Sequence, residues 1–336
     1  MTYFKSDYGH LIQGDVLQKI DLIESNTVQS IITSPPYYGL RDYQHHDQIG
    51  QEETYQEYIE KLVAIFRKSK RILKDDGLLF INIADSYAGT RSKNNKETDP
   101  KNSKGRVGMK SISENIPGIE RKSLIGIPQR LQIAMIDDGW ICRNVIIWQK
   151  PNAMPESVKD RFTIDFEYIF MFSKRSKYKF NQLKEPMVTK DRYQAQKGLS
   201  IANKHSSLVA IRGSKGTMGT LNQGSRKEYS QADYDRFKDK YQNDEDFVRN
   251  KRTVWSISTK GTKEAHFATF PEELVENLIL CSTDVGDITC DLFMGSGTVS
   301  KVAEVNNRKW IGIELNEEYC ELIKQRVAMV QPKLTL

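Results

Sequence analysis

Four cysteines in 336 residues, none in CxxC spacing, are too few and too scattered for a disulfide scaffold or a zinc knuckle. Such sparse use fits a reducing compartment, and the cytoplasm is the expected location. No apolar run approaches the ~18 residues of a membrane span. The longest, 78–84, is interrupted by Asn82. The first ten residues lack a cationic segment followed by an apolar stretch, so no secretory signal is expected. Histidine is scarce, and the adjacent pair His45–His46 lies in a polar loop, so no metal site is expected. The chain contains no Gly-Lys dipeptide, which excludes a P-loop.

What is present is an ordinary core-forming composition with an uneven charge distribution. Hydrophobic residues make up 38% and charged residues 28%, enough for one large domain or two. The net charge is only +6, yet residues 91–123 hold nine basic and four acidic side chains and residues 181–230 hold nine and three. The rest of the chain is therefore acidic. Both basic stretches are rich in Gly, Ser, Asn and Lys and poor in apolar periodicity, the pattern of long loops or insertions. One such run is commonly solvated surface. Two on an acidic body point to a polyanionic partner.

The remainder alternates between strand and helix patterns. Strands are expected at 11–13, 28–33, 78–85, 145–148, 168–172, 288–291 and 310–314. Helices are expected at 55–73, 128–137, 271–281, 298–305 and 317–329. This alternation predicts an α/β sheet, mostly parallel, with helices on both faces.

Two segments carry chemistry. Asp291-Leu-Phe293-Met-Gly295-Ser-Gly297-Thr298 follows a strand and opens a helix. Glycines there let a ligand approach the backbone and the helix N-terminal amides, although Gly-x-Gly alone also serves as a tight structural turn. Glu314 ends the next strand, where a carboxylate can hold a ribose hydroxyl pair. The third glycine of a dinucleotide fingerprint is replaced by Ser300, so a nucleoside cofactor without pyrophosphate fits better. The second segment, Thr33-Ser34-Pro35-Pro36-Tyr37, also follows a strand. Consecutive prolines stiffen it, and the Ser34 hydroxyl and Pro35 carbonyl are candidate paired acceptors for an exocyclic amino group. Tyr37 offers a face for a planar base. Alone, this segment could be only a rigid loop.

Together, DLFMGSGT and TSPPY resemble the S-adenosylmethionine-dependent DNA methyltransferases that modify exocyclic amino groups. Their order, with the catalytic motif first, resembles the circularly permuted beta class. The resemblance covers most of 8–180 and 250–328. It implies a Rossmann-like, seven-stranded, mostly parallel sheet with one antiparallel strand and an inserted basic target-recognition region. The implied organisation is a catalytic half at 1–180 with the basic loop 91–123, a recognition insert at 181–254 and a cofactor half at 255–336. The catalytic residues would be Ser34, Pro35, Pro36 and Tyr37. S-adenosylmethionine would be held by Asp15, Phe267, Thr269, Pro271, Asp291, Phe293, Gly295, Gly297 and Glu314. Asp15 would reach the cofactor's adenine amino group, with local capping as its plain alternative. Asp291 would shape the glycine loop or meet the cofactor's amino group.

Double-stranded DNA is the implied substrate, and the resemblance leaves room for a cognate restriction endonuclease, whose presence the sequence does not show. Arg41, Lys204, Arg212, Lys215, Arg226 and Lys227 are candidate DNA contacts. No cysteine follows a proline, which disfavours C5-cytosine chemistry. Serine at position 34 favours cytosine N4 over adenine N6, since in this family Asp-Pro-Pro-Tyr goes mostly with adenine. The competing classes are an RNA or protein-glutamine methyltransferase, which would usually show Asn-Pro-Pro-Tyr, and a non-catalytic nucleic-acid-binding module.

Overall fold

The computed structural model describes residues 2–39, 48–89, 116–186, 248–259 and 270–330. Arg41, Phe267, Thr269, Lys204, Arg212, Lys215, Arg226 and Lys227, with most of both basic stretches, lie outside the described residues. Two compact units are present, Met1–Asn181 with Thr253–Leu336, and Gln182–Arg252.

The first unit is built on one sheet. Its strands are β1 (Phe4–Lys5), β2 (Gly9–Gln13), β3 (Val28–Thr33), β4 (Leu73–Ile83), β5 (Ile141–Gln149), β6 (Phe166–Ser173), β9 (Val254–Ser256), β10 (Ile288–Asp291) and β11 (Lys309–Glu314), and their order is β1-β2-β11-β10-β3-β4-β6-β5-β9. The sheet thus has nine strands, not the seven expected. Seven of them, β2 through β5 in spatial order, contain one antiparallel strand, β6 between β4 and β5. The two extra strands sit at the edges. β1 is two residues long and antiparallel to β2, and β9 is three residues long and parallel to β5. Strands this short carry no readable alternation.

The second unit's described residues form a small antiparallel pair, β7 (Lys184–Pro186) and β8 (Val248–Asn250). Glu185 accepts hydrogen bonds from Arg249 and Arg252 Nε, each at 2.8 Å.

Every residue of β3 is buried, as expected for a central strand covered on both faces. On one side Ile31 joins the core made with α1 (Val16–Lys19), α2 (Tyr55–Ile72) and α3 (Ile127–Asp137). On the other, Ser30 meets α4 (Glu272–Ser282), where Ser282 Oγ donates to Ser30 Oγ at 2.8 Å. α5 (Thr298–Val305) links β10 to β11, and α6 (Glu317–Ala328) ends the described chain.

Helix α2 starts where it does because Thr54 and Glu57 form a reciprocal capping box. Its buried stripe includes Tyr58, Leu62, Ile65 and Phe66, and Lys70 and Arg71 lie in its last turn. No helix among the described residues is long and apolar enough to cross a membrane.

From β3 the chain crosses through α2 to β4 on one side. From β10 it crosses through α5 to β11 on the other. Because β3 and β10 are neighbours, the crevice at their carboxyl ends is a topological switch point, the usual ligand site of open α/β sheets.

Leu62 is fully buried, so Leu62→Ala should cost about 2–5 kcal/mol. Thr54→Ala, which loses the cap, should cost about 1 kcal/mol. Urea unfolding with an unchanged slope would check both values.

Candidate active site

The two chemical segments meet at this switch point. Thr33, the last residue of β3, donates from Oγ1 to Asp291 Oδ1 at 2.6 Å, and Asp291 is the last residue of β10. Asp291 Oδ1 also accepts from Phe293 N at 3.0 Å. The aspartate thus ties the end of β3 to the start of the glycine loop. Burial pushes its carboxyl up to about 7, against the pull of these two donors.

The glycine loop is held from both sides. Met294 N donates to Ile313 O at 2.9 Å, and Arg326 donates to Ser296 O at 2.7 Å. Gly297 caps α5 at φ 77°, where an added Cβ would lie 2.9 Å from Ile323, so both conformation and space require glycine. Gly295 differs. At φ 52° its missing Cβ would meet, among the described residues, only Phe293 O, at 3.9 Å, so none of them fills that side of the loop.

Glu314, the last residue of β11, accepts from Gly295 N at 2.7 Å and from Asn316 N at 2.9 Å. Burial, with a smaller contribution from Asp291, raises its carboxyl to about 7. Asp15 lies beside it, because Gly14 N donates to Glu314 O at 2.8 Å. Its side chain accepts from Leu17 N at 2.6 Å and caps α1, matching the plain alternative considered for it. Pro271 is buried and forms the N-cap of α4. Phe293 is partly buried against the main core.

Past β3, the Ser34–Tyr37 loop is tied down at several points. Tyr58 Oη of α2 donates to Pro36 O at 2.8 Å. Ser34 Oγ donates toward Asn82 O at 3.2 Å, with Tyr37 Oη 3.4 Å away. Tyr37 Oη donates to Glu167, whose other oxygen takes Lys150 Nζ. Asn82 Nδ2 lies 2.6 Å from both Tyr37 Oη and Glu167 Oε2. Burial, then the Glu167 charge, holds the Tyr37 phenol well above its ordinary range, so it stays protonated.

Sequence reasoning missed Asn82 and Glu167 as site residues. The available signal was a lone polar residue in each of two apolar strands, LLFINI and FEYIFMF. Trp148 is core: it is 3% exposed and its indole N–H donates to Ile257 O at 2.8 Å. Among the described residues no group of His, Cys, Asp and Glu could hold a metal ion.

A family model described as DNA methylase, the N6/N4 type, matches residues 28–325. The chain belongs to this DNA methylase family. It is 37% identical to the type II methyltransferase M.Cfr9I of Citrobacter freundii, over 94% of this chain and 87% of that protein. It is also 37% identical to the type II methyltransferase M.SmaI of Serratia marcescens, over 94% and 90%. Among solved structures, the cytosine-N4-specific PvuII DNA methyltransferase matches with TM-score 0.60 at 18% identity, covering 98% of this chain and 89% of that one. A candidate DNA modification methylase of Thermus thermophilus, complexed with S-adenosyl-L-methionine, matches with TM-score 0.53 at 21% identity, covering 96% and 95%. These structural matches confirm the methyltransferase fold.

The raised Glu314 carboxyl has a consequence for stability. A folded-state value near 7 against an ordinary 4.5 means that the folded chain holds the extra proton between those pH values. Ionisation of Glu314 therefore destabilises the ligand-free protein as pH rises through that window. Glu314→Gln removes the penalty, so it should gain on wild type between pH 5 and pH 8 by on the order of 2–3 kcal/mol. Paired thermal melts would show this, and a difference independent of pH would refute it.

Proposed function

We propose that this DNA methyltransferase transfers a methyl group from S-adenosylmethionine to the exocyclic N4 of cytosine in double-stranded DNA. The observation that carries the base assignment is Ser34. A neutral hydroxyl, not a carboxylate, stands where the target amino group would be received, and its proton is directed to Asn82 O. The Ser34 lone pairs are then available to accept an amino N–H. Asp-Pro-Pro-Tyr, the pattern that goes mostly with adenine, is absent at this position.

The cofactor assignment rests on the Gly295 loop and Glu314. The side of Gly295 that no described residue fills gives room for the methionine part, and Glu314 offers acceptors for ribose hydroxyls. Phe293, Gly297, Asp291, Asp15, Phe267, Thr269 and Pro271 complete the proposed cofactor set, with Asp291 and Gly297 acting through loop shape. When bound, S-adenosylmethionine supplies a methyl sulfonium, an electrophile that is already activated. The protein's task is then mainly alignment. Ser34 and the Pro35 carbonyl orient the amino nitrogen, Pro36 stiffens the loop, and Tyr37 provides the platform. Bond formation from the amino nitrogen to the methyl carbon would break that carbon's bond to sulfur, with the electron pair left on sulfur, and the surplus proton on nitrogen would then pass to solvent.

A base inside a duplex cannot reach this crevice, so it must leave the stack at a cost of about a few kcal/mol. We assign backbone grip during that step to Arg41 and to the basic insert at 181–254, through Lys204, Arg212, Lys215, Arg226 and Lys227. A restriction endonuclease of matching specificity is the expected cellular partner.

Two measurements test this reading. Gly295→Asp should abolish S-adenosylmethionine binding, and Glu314→Ala should weaken it by on the order of 1–3 kcal/mol. Calorimetry with both variants showing wild-type affinity would sink the cofactor site. Methylated DNA hydrolysed to nucleosides should contain N4-methylcytosine by mass, and Ser34→Ala should lose turnover far more than cofactor affinity. N6-methyladenine alone would move the assignment to adenine, and 5-methylcytosine would overturn the mechanism.

A further inference from the structure

Beneath the Ser34–Tyr37 loop lies an ion pair that methyl transfer does not itself call for. Glu167 stands in β6 within an otherwise apolar run and is only 9% exposed. Its Oε1 takes Lys150 Nζ, while its Oε2 takes Tyr37 Oη and Asn82 Nδ2. Lys150 follows directly on β5, and its ammonium also lies 4.5 Å from the centroid of the Trp148 ring. Thus β4, β6, the end of β5 and the loop after β3 converge on one carboxylate.

The Asn82 amide shows what this arrangement demands. Its N–H groups are turned to the Glu167 anion and to Tyr37 Oη. Rotated the other way, its carbonyl would oppose the carboxylate. The orientation leaves Asn82 Oδ1 buried without a hydrogen-bond partner among the described residues. A position shaped only by packing would hold an apolar side chain there, as Phe80, two residues back on the same face of β4, does.

We infer that Glu167, clamped by Lys150 and Asn82, is a positioning residue for methyl transfer. It fixes the far end of the Tyr37 ring, and the ring in turn bounds by contact the space of the Ser34 hydroxyl, whose proton is directed to Asn82 O. A tyrosine held only at Cα can swing about its side-chain torsions, whereas one also held at Oη has its ring plane set. Ser34 Oγ lies 3.4 Å from that Oη and 3.2 Å from Asn82 O, so it shifts with either group. The inference rests on the Ser34–Tyr37 loop being the methyl-transfer loop.

The test is a double-mutant cycle of Tyr37→Phe and Glu167→Gln. Its readouts are methyl incorporation into unmethylated plasmid DNA and S-adenosylmethionine affinity by calorimetry. Each single variant should lower kcat by about 10- to 100-fold, since small misplacements of reacting groups cost that much. Cofactor affinity should stay within about twofold, and the double variant should be little worse than the weaker single, because both changes cut the same tie. Losses that multiply, or a Glu167→Gln enzyme with wild-type kcat, would overturn the inference. Should Glu167→Gln not fold, Lys150→Met and Lys150→Arg replace it. The arginine variant, which keeps the cation, should recover most of the kcat that methionine loses, and equal losses would overturn the clamp. A wild-type enzyme that methylates no amino group would instead refute the underlying reading.

Discussion

The hydrogen bond from Thr33 to Asp291 joins residues 258 positions apart, and the rest of the site depends on it. β3 and β10 must lie side by side for Ser34 and Gly295 to share one crevice. Their pairing buries Asp291 completely, and a buried carboxylate without donors is costly. Thr33 and Phe293 N supply the donors. The same contact therefore stabilises the central strand pair and sets the start of the glycine loop. Chain order matters little to this geometry. A cofactor loop near the C-terminus and a base loop near the N-terminus become neighbours because the sheet places their strands together.

Three of the carboxylates held at this edge, Asp291, Glu314 and Glu167, have different kinds of partner. Asp291 is matched by one hydroxyl and one backbone amide, and Glu314 by two backbone amides. Both are pushed up to about 7, because neutral donors compensate burial only in part. Among the described residues, Glu167 is the one of the three that is given a full cation, Lys150. Glu314 stands against Gly295 of the glycine loop, and Asp291 is buried at the start of that loop. Glu167 stands beneath the base loop, where it serves protein groups.

Much of this was legible from residues alone, for physical reasons. Glycines at 295 and 297 and the double proline at 35–36 constrain backbone directly, so their loops could be placed at strand ends before any fold was known. The alternation of apolar runs gave the main strands and helices. Edge strands of two and three residues gave no such pattern, which is why seven strands were expected and nine are found. Glu167 and Asn82 escaped for another reason. Their meaning depends on cross-strand partners 85 positions apart, and no local pattern records that pairing. Asp15 shows the converse limit, because one side chain can satisfy a motif and a helix cap at once.

The point at which the basic stretch 91–123 leaves the sheet follows from the same edge. The basic stretch 91–123 begins just beyond β4, whose carboxyl end borders Ser34. Its two flanks are closed against each other. Ala88 N donates to Ser123 O at 2.8 Å, and Ile125 N donates to Ser86 O at 2.9 Å. Asp85 accepts from Gly126 N and Ile127 N, each at 3.0 Å, at the start of α3. Ser86 Oγ in turn donates to Tyr38 O at 3.0 Å, one residue past the base loop. With its ends joined in this way, the intervening sequence can vary in length and charge at little cost to the sheet. The described flanks, joined at Ser86–Ala88 and Ser123–Ile125, therefore leave and rejoin the sheet beside the loop that carries Ser34.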